Sequence, residues 1–201
     1  LYNYIIISLK RSKRSFISCF SSLLYLSWVM SKYKNMFNII GFQTGWWACV
    51  LGTKNGYPYL GPIVMSIFLF IHFARLENRN KELLFATLVG LIGTVVDTIL
   101  LQTNLIEYQG VYIDNIAPLW ITAMWIGFAA TINHSLVWLN NKWIMSFALG
   151  AIFGPLSYFT GIKFEALHFE ISLLTMSVLA LLWGVVVPYL YYLNGKVVIN
   201  K

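Results

Sequence analysis

The feature that most constrains this chain is a nearly continuous run of apolar residues from Phe37 to Leu193. Hydrophobic residues make up 59% of its 201 residues and charged residues only 10%, whereas a soluble domain carries about 25% charged residues. So few charges cannot cover a surface that faces water. In lipid every backbone amide needs a hydrogen-bond partner inside the protein, which favours helices in segments of this length. The sequence therefore predicts an all-α, polytopic integral membrane helix bundle.

Polar turns and helix-breaking residues divide the run into six apolar segments. Lys54 to Pro58 and Asn140 to Lys142 are short polar stretches, so the helices on either side of each are expected to run antiparallel. Each segment is long enough to cross the hydrocarbon core, or nearly so. The predicted spans are residues 37–53, 58–74, 83–103, 117–139, 143–162 and 171–193.

The distribution of lysine and arginine predicts the orientation. Cytoplasmic loops carry an excess of these residues, so the side with more of them should be the cytoplasmic one. A cytoplasmic N-terminus leaves only Lys54 and Lys163 outside and places eight basic residues inside: Lys32, Lys34, Arg75, Arg79, Lys81, Lys142, Lys196 and Lys201. We therefore expect about six transmembrane helices, with the N-terminus and the C-terminus both in the cytoplasm.

The net charge of +7 comes mainly from the first 35 residues, which hold six of the 14 basic residues and no acid. From Met36 onward eight basic residues face seven acidic ones, and no basic face remains for binding nucleic acid. We expect residues 1–35 to be a basic N-terminal extension that is not necessarily part of the native protein. We expect residues 36–201 to form a single six-helix transmembrane domain. A basic arm on anionic lipid and an additional span stay open as alternatives for the extension.

Two ionisable residues, Asp97 and His134, fall inside predicted spans, where an aspartate at mid-helix costs roughly 2.5–3.5 kcal/mol on insertion scales. Helical rise places them about 15 Å apart along the membrane normal, so a direct pair is not expected. Asp97 should share an outer polar layer with Ser157, with Tyr158 at a similar level, and His134 an inner layer with Gln43, His72 and Asn133. The candidate functional residues are Asp97, His134, Asn133, Gln43 and Ser157, and hydrogen bonding between helices is the alternative role for each.

The sequence predicts no metal site and no cofactor. The three histidines, at positions 72, 134 and 168, are too few for a multi-histidine iron centre. Glu165, His168 and Glu170 could hold an ion weakly, but a solvated loop is the favoured interpretation. Ser157 and His134 lie at different predicted depths, which argues against a hydrolase dyad. The catalytic residues therefore stay unknown.

Several short motifs together resemble a known family. They are the run from Gly41 to Val50 (GFQTGWWACV), Ala117 to Trp120 (APLW), Asn133 to Leu136 (NHSL), Gly154 to Tyr158 (GPLSY), and Asp97. Over Met36 to Leu193 the chain resembles a bacterial inner-membrane family, domain of unknown function 2878. The resemblance implies a small multi-pass protein of the bacterial inner membrane, from genes that lie near lipid- and fatty-acid-modifying enzymes. It implies no catalytic residues.

Three functions stay open, and the sequence favours the first. The protein is a non-catalytic membrane subunit or scaffold associated with lipid metabolism; or a small transporter or lipid-handling protein that uses Asp97 and His134; or a membrane-embedded enzyme that acts on acyl chains or lipid head groups. An enzyme is thus the less favoured reading. The expected partners are membrane lipids and a further membrane protein, not nucleic acid.

Overall fold

The computed structural model describes residues 32–199, and the predicted extension before residue 32 lies outside the described residues, as do Asn200 and Lys201. Residues Asn38–Lys201 form one compact unit. Apart from one short pair of strands, the described elements are helices.

Six α-helices follow one another along the described chain. Helix α1 covers residues 32–54. The others are α2 (Leu60–Ala74), α3 (Arg79–Gln102), α4 (Leu119–Ile132), α5 (Trp143–Lys163) and α6 (Leu173–Asn194), with a 3₁₀ turn at Val137–Leu139 and a π-helical turn at Gly195–Ile199. Helix α3 packs against α4, α4 against α2, and α5 against α6.

Helices α3, α5 and α6 are long and apolar enough to cross a membrane, with α6 and its π-helical continuation reaching 27 residues. Helices α2 and α4 are apolar but shorter, at 15 and 14 residues. A chain with three such helices and further apolar ones is of the membrane-protein class.

Local sequence explains where several helices begin and end. Ser172 caps α6, because its side chain accepts a hydrogen bond from the Thr175 amide at 3.1 Å. The polar turn before α5 contains Asn141 at φ 61°, a left-handed conformation that asparagine tolerates better than most residues. Pro155 and Pro188 lie inside α5 and α6, which continue past both.

The antiparallel helices give the bundle two ends. At the loop end, the α3–α4 and α5–α6 loops meet through strands β1 (Glu107–Tyr108) and β2 (Leu167–His168), with Tyr108 opposite Leu167. At the turn end, the short α2–α3 turn lies near the residues that follow α4.

The fourth predicted span is wrong at its C-terminal end. It was expected to run to Leu139, but α4 ends at Ile132 and residues 133–136 form a turn. The turn that follows is stabilised by the Thr131 carbonyl, which accepts hydrogen bonds from the amides of His134 (3.1 Å) and Leu136 (2.9 Å). Nine of the 14 residues of α4 are buried, so protein surrounds the helix that leads into this turn.

Helix α1 approaches α2 so closely that Gly61 has no room for a side chain: a Cβ there would lie 2.3 Å from Cα of Cys49. We expect Gly61→Ala to lower the free energy of unfolding by about 1–3 kcal/mol, because backbone cannot move aside as a side-chain tip can. Thermal unfolding in detergent measures this. The control is Gly195→Ala, where a Cβ meets nothing within 4 Å. Equal melting temperatures for the two variants would contradict the close approach.

Candidate functional site

Asp97, in the middle of α3, is fully buried and accepts three hydrogen bonds. Its Oδ1 accepts from the hydroxyls of Tyr108 at 2.5 Å and Tyr158 at 2.6 Å, and its Oδ2 accepts from the Trp125 indole at 2.6 Å. The donors come from β1, α5 and α4, so one carboxylate joins four elements of the fold.

Tyr108 reaches Asp97 from the loop end of the bundle. Burial raises the pKa of its phenol far above the ordinary value, with further contributions from Tyr158 and Asp97. The hydroxyl therefore keeps its proton and remains a donor over the physiological range of pH. The strand pairing of Tyr108 with Leu167 holds the ring in this position.

The structure changes the predicted outer layer around Asp97. Tyr158, at the predicted level, contacts it, whereas Ser157 donates to the Gly154 carbonyl of its own helix at 2.6 Å. Sequence reasoning missed Trp125 and Tyr108. An aromatic residue with a polar hydrogen, lying in or beside an apolar run that contains an acid, is the signal that could have indicated them.

A cavity of about 680 Å³ lies beside Asp97, between α1 and α4 on one side and α5 and α6 on the other. Gln43 and Ser157 line it with Asp97, so Gln43 shares a cavity with the acid rather than belonging only to the layer predicted around His134. Most of the remaining lining is aromatic or aliphatic: Phe42, Trp46, Trp120, Met124, Phe128, Leu149, Phe153, Leu156, Leu167, Trp183 and Val187 among others.

His134 lies in the turn after α4, not inside a span as predicted. Its Nε2 is 3.0 Å from Oε2 of Glu82, and the two side chains are 21% and 13% exposed. Its ring lies perpendicular to that of His72, with 4.5 Å between the centroids. Asp97 and His134 therefore have different partners, in agreement with their predicted separation.

His72, Glu82 and His134 form a cluster of metal-ligating side chains, with one ligand atom from each and all three atoms within 4.8 Å of one another. We call it the turn-end cluster. Among residues 32–199 it is the one group of three such residues this close, so Glu165, His168 and Glu170 are not gathered in this way. Glu82 could not be selected from the sequence, because the turn after α4 that brings His134 to it is not visible in the hydropathy.

Polar contacts with two other helices hold the turn that carries His134. Asn133 and Asn194 exchange two hydrogen bonds, at 2.8 and 2.6 Å, as expected of a residue that bonds between helices. Ser135 donates to Asn38 of α1 at 2.6 Å. Tyr191 of α6 donates to a backbone carbonyl of the turn at 2.8 Å. The turn that carries His134 is thus held by both α1 and α6.

We expect Asp97→Asn to destabilise the protein by about 1–3 kcal/mol, because the amide NH₂ would face a donor and leave a buried group without its hydrogen bond. Thermal unfolding of the purified protein in detergent measures the loss. Ser157→Ala is the matched control, since that hydroxyl bonds only within its own helix turn. An unchanged melting temperature for Asp97→Asn would show that the three hydrogen bonds do not hold the helices.

Comparison with known proteins places the chain in one family. No curated protein matches the sequence, and no solved structure matches the fold. A family model described as a protein of unknown function, DUF2878, matches residues 35–189, which is most of the chain. The match covers α1 to α5 and most of α6. The chain therefore belongs to the DUF2878 family.

Proposed function

We propose that this chain is a six-span protein of the bacterial inner membrane, with both termini in the cytoplasm, that holds the acyl chain of a membrane lipid in its internal cavity. It acts as a non-catalytic, lipid-binding subunit. The single observation that carries the proposal is the apolar cavity of about 680 Å³ beside Asp97. Its volume falls in the usual range of ligand sites, about 300–1,000 Å³.

The outward faces of the helices support a position in the membrane. Ile63, Ile67 and Phe70 of α2 are exposed at helical spacing, as are Leu91 and Val95 of α3. A soluble protein rarely exposes apolar patches of this extent, whereas lipid solvates them. The short α4 fits such a bundle, because its neighbours enclose it and it needs little lipid contact of its own.

The shape of the cavity favours a long apolar occupant. Its lining along α5 runs from Leu149 to Gly161, about 18 Å by helical rise. It continues to Leu167 at the loop end and to Trp138 near the turn end. Two of its lining residues on α5, Phe153 and Leu156, are 62% and 48% exposed, so the cavity opens on the side of the bundle, where a lipid could enter from the bilayer.

The polar groups favour holding a lipid over converting it. Both carboxylate oxygens of Asp97 already accept hydrogen bonds from the cavity wall, so use of this group as a base would break contacts that join four elements. His134 and Asn133, the residues that an enzyme would need, are not among the described residues that line the cavity. Lipid binding without catalysis therefore agrees best with the positions of these polar groups.

The topology predicts which engineered cysteines can be reached from outside the cell. With Cys19 and Cys49 replaced by alanine, we expect Lys54→Cys and Lys163→Cys to react with a membrane-impermeant maleimide on intact cells. Lys142→Cys and Lys196→Cys should react only after the membrane is permeabilised, because basic loops remain in the cytoplasm. Labelling of only Lys142→Cys and Lys196→Cys in intact cells would show the opposite orientation. Labelling of all four variants in intact cells would contradict the proposed topology.

Lipid binding can be tested with a phospholipid that carries a photoactivatable group in one acyl chain. After irradiation in nanodiscs, we expect mass spectrometry to find the label on peptides of α4 and α5 that line the cavity. Ser157→Phe should reduce this labelling several-fold, because a phenyl ring would occupy space that the chain needs.

The matched control is Ile152→Phe, which places the same phenyl ring at an exposed position of the same helix. It should label as the unmodified protein does. Equal labelling of the two variants, or labelling confined to the outer faces of α2 and α3, would contradict the proposal. Size-exclusion chromatography and circular dichroism establish that both variants are folded.

A further inference from the structure

The turn-end cluster brings together three side chains that are far apart in sequence. His72 lies in the last turn of α2, Glu82 in the first turn of α3, and His134 in the turn after α4. Their ligand atoms are within 4.8 Å of one another. Helix α2 ends, helix α3 begins and the turn after α4 lies at the same end of the bundle, so the backbone brings the three side chains together.

His72 carries an unsatisfied polar atom at this place. The residue is 5% exposed, and its Nε2 has no hydrogen-bond partner within the part of the chain that the structure describes. A buried polar atom without a partner costs about 1–3 kcal/mol. A neutral imidazole is also the commonest metal ligand among side chains.

We propose that His72, Glu82 and His134 bind a single divalent transition-metal ion of the zinc type. Two imidazoles and one carboxylate form a known three-residue zinc ligand set, in which water takes the fourth position. Calcium and magnesium prefer sites made of oxygen ligands alone, so two nitrogen ligands favour a transition metal. The site has no thiolate, and it therefore does not favour soft ions such as Cu(I).

The distances require only a small contraction. In a tetrahedral site with bonds of about 2.0–2.1 Å, ligand atoms lie about 3.4 Å apart, so the side chains must approach by about 1.4 Å or less. His134 and Glu82 already lie 3.0 Å apart. When the ion binds Nε2 of His134, the proton held between that nitrogen and Glu82 leaves to solvent, as is usual when metals bind.

The surroundings suit a metal held by coordinate bonds. Both Glu82 and Arg75 lie close enough to act on His72 electrostatically, with opposite signs. His134 and Glu82 are partly exposed, which gives an ion a route from solvent. The Asn133–Asn194 pair fixes the turn beside His134. A bound ion would fasten the ends of α2 and α3 to this turn and would stabilise the folded state.

The test uses the full-length, untagged protein in detergent after removal of metals with a chelator. Titration with Co²⁺ alone should give the visible absorption bands of tetrahedral cobalt and about one bound ion per chain. Zn²⁺ should displace it and raise the melting temperature. His72→Ala and His134→Ala should each weaken binding by at least about tenfold, the smallest loss seen even for outer-sphere partners of metal ligands.

His168→Ala is the control, because this third histidine lies in β2 at the opposite end of the bundle. It should bind cobalt as tightly as the unmodified protein. Glu82→Gln removes the charge of the carboxylate with almost no change of shape. It therefore tests metal binding by the cluster even if a histidine variant fails to fold. Zn²⁺ should then stabilise the unmodified protein but not Glu82→Gln.

Three outcomes would overturn the proposal: no stoichiometric cobalt binding by the unmodified protein, equal loss in His168→Ala, or equal stabilisation of Glu82→Gln by Zn²⁺. None of these measurements involves lipid. Failure of the metal site would leave lipid binding in the cavity standing, and failure of lipid binding would leave the metal site.

Discussion

The rest of the structure depends on the need of each buried polar group for a partner where water is absent. Asp97 shows this most clearly: one carboxylate in the middle of α3 accepts hydrogen bonds from α4, α5 and a loop strand. A carboxyl group without hydrogen-bond partners would be costly to bury in this position. With three donors around it, the group helps to determine how α3, α4 and α5 are placed around the cavity. The same carboxylate thus explains both the packing and the shape of the space beside it.

The turn after α4 meets the same requirement in a different way. Helix α6 forms hydrogen bonds with Asn133 and with a backbone carbonyl of this turn, and Asn38 of α1 accepts one from Ser135. With these contacts the chain can leave the helical conformation while its polar groups stay bonded to other parts of the protein. The early end of α4 also brings His134 to Glu82 and His72. A polar network that serves to end a helix has in this way assembled a cluster with the chemistry of a metal site.

The extent to which sequence predicts this protein follows from how far each signal reaches. Five of the six predicted segments coincide with helices to within a few residues, because hydropathy is a local property. Helical rise placed Tyr158 at the level of Asp97 and separated Asp97 from His134. The end of α4 could not be found in this way, since Leu136 to Leu139 remain as apolar as a span. The partners Trp125 and Tyr108, and the meeting of His72 with Glu82, depend on how the helices pack, and single-sequence periodicity carries little information about packing.

Helix α2 has a consequence for the surrounding bilayer in the proposed arrangement. It has 15 residues, about 22 Å by helical rise, and its exposed side chains, such as Phe70, face outward. The hydrocarbon core of a bilayer is about 30 Å thick. A helix shorter than the hydrocarbon core can be accommodated by local thinning of the bilayer. Lipids beside α2 would therefore be compressed, and the protein would have a preference for thin regions of the membrane that no single binding residue encodes.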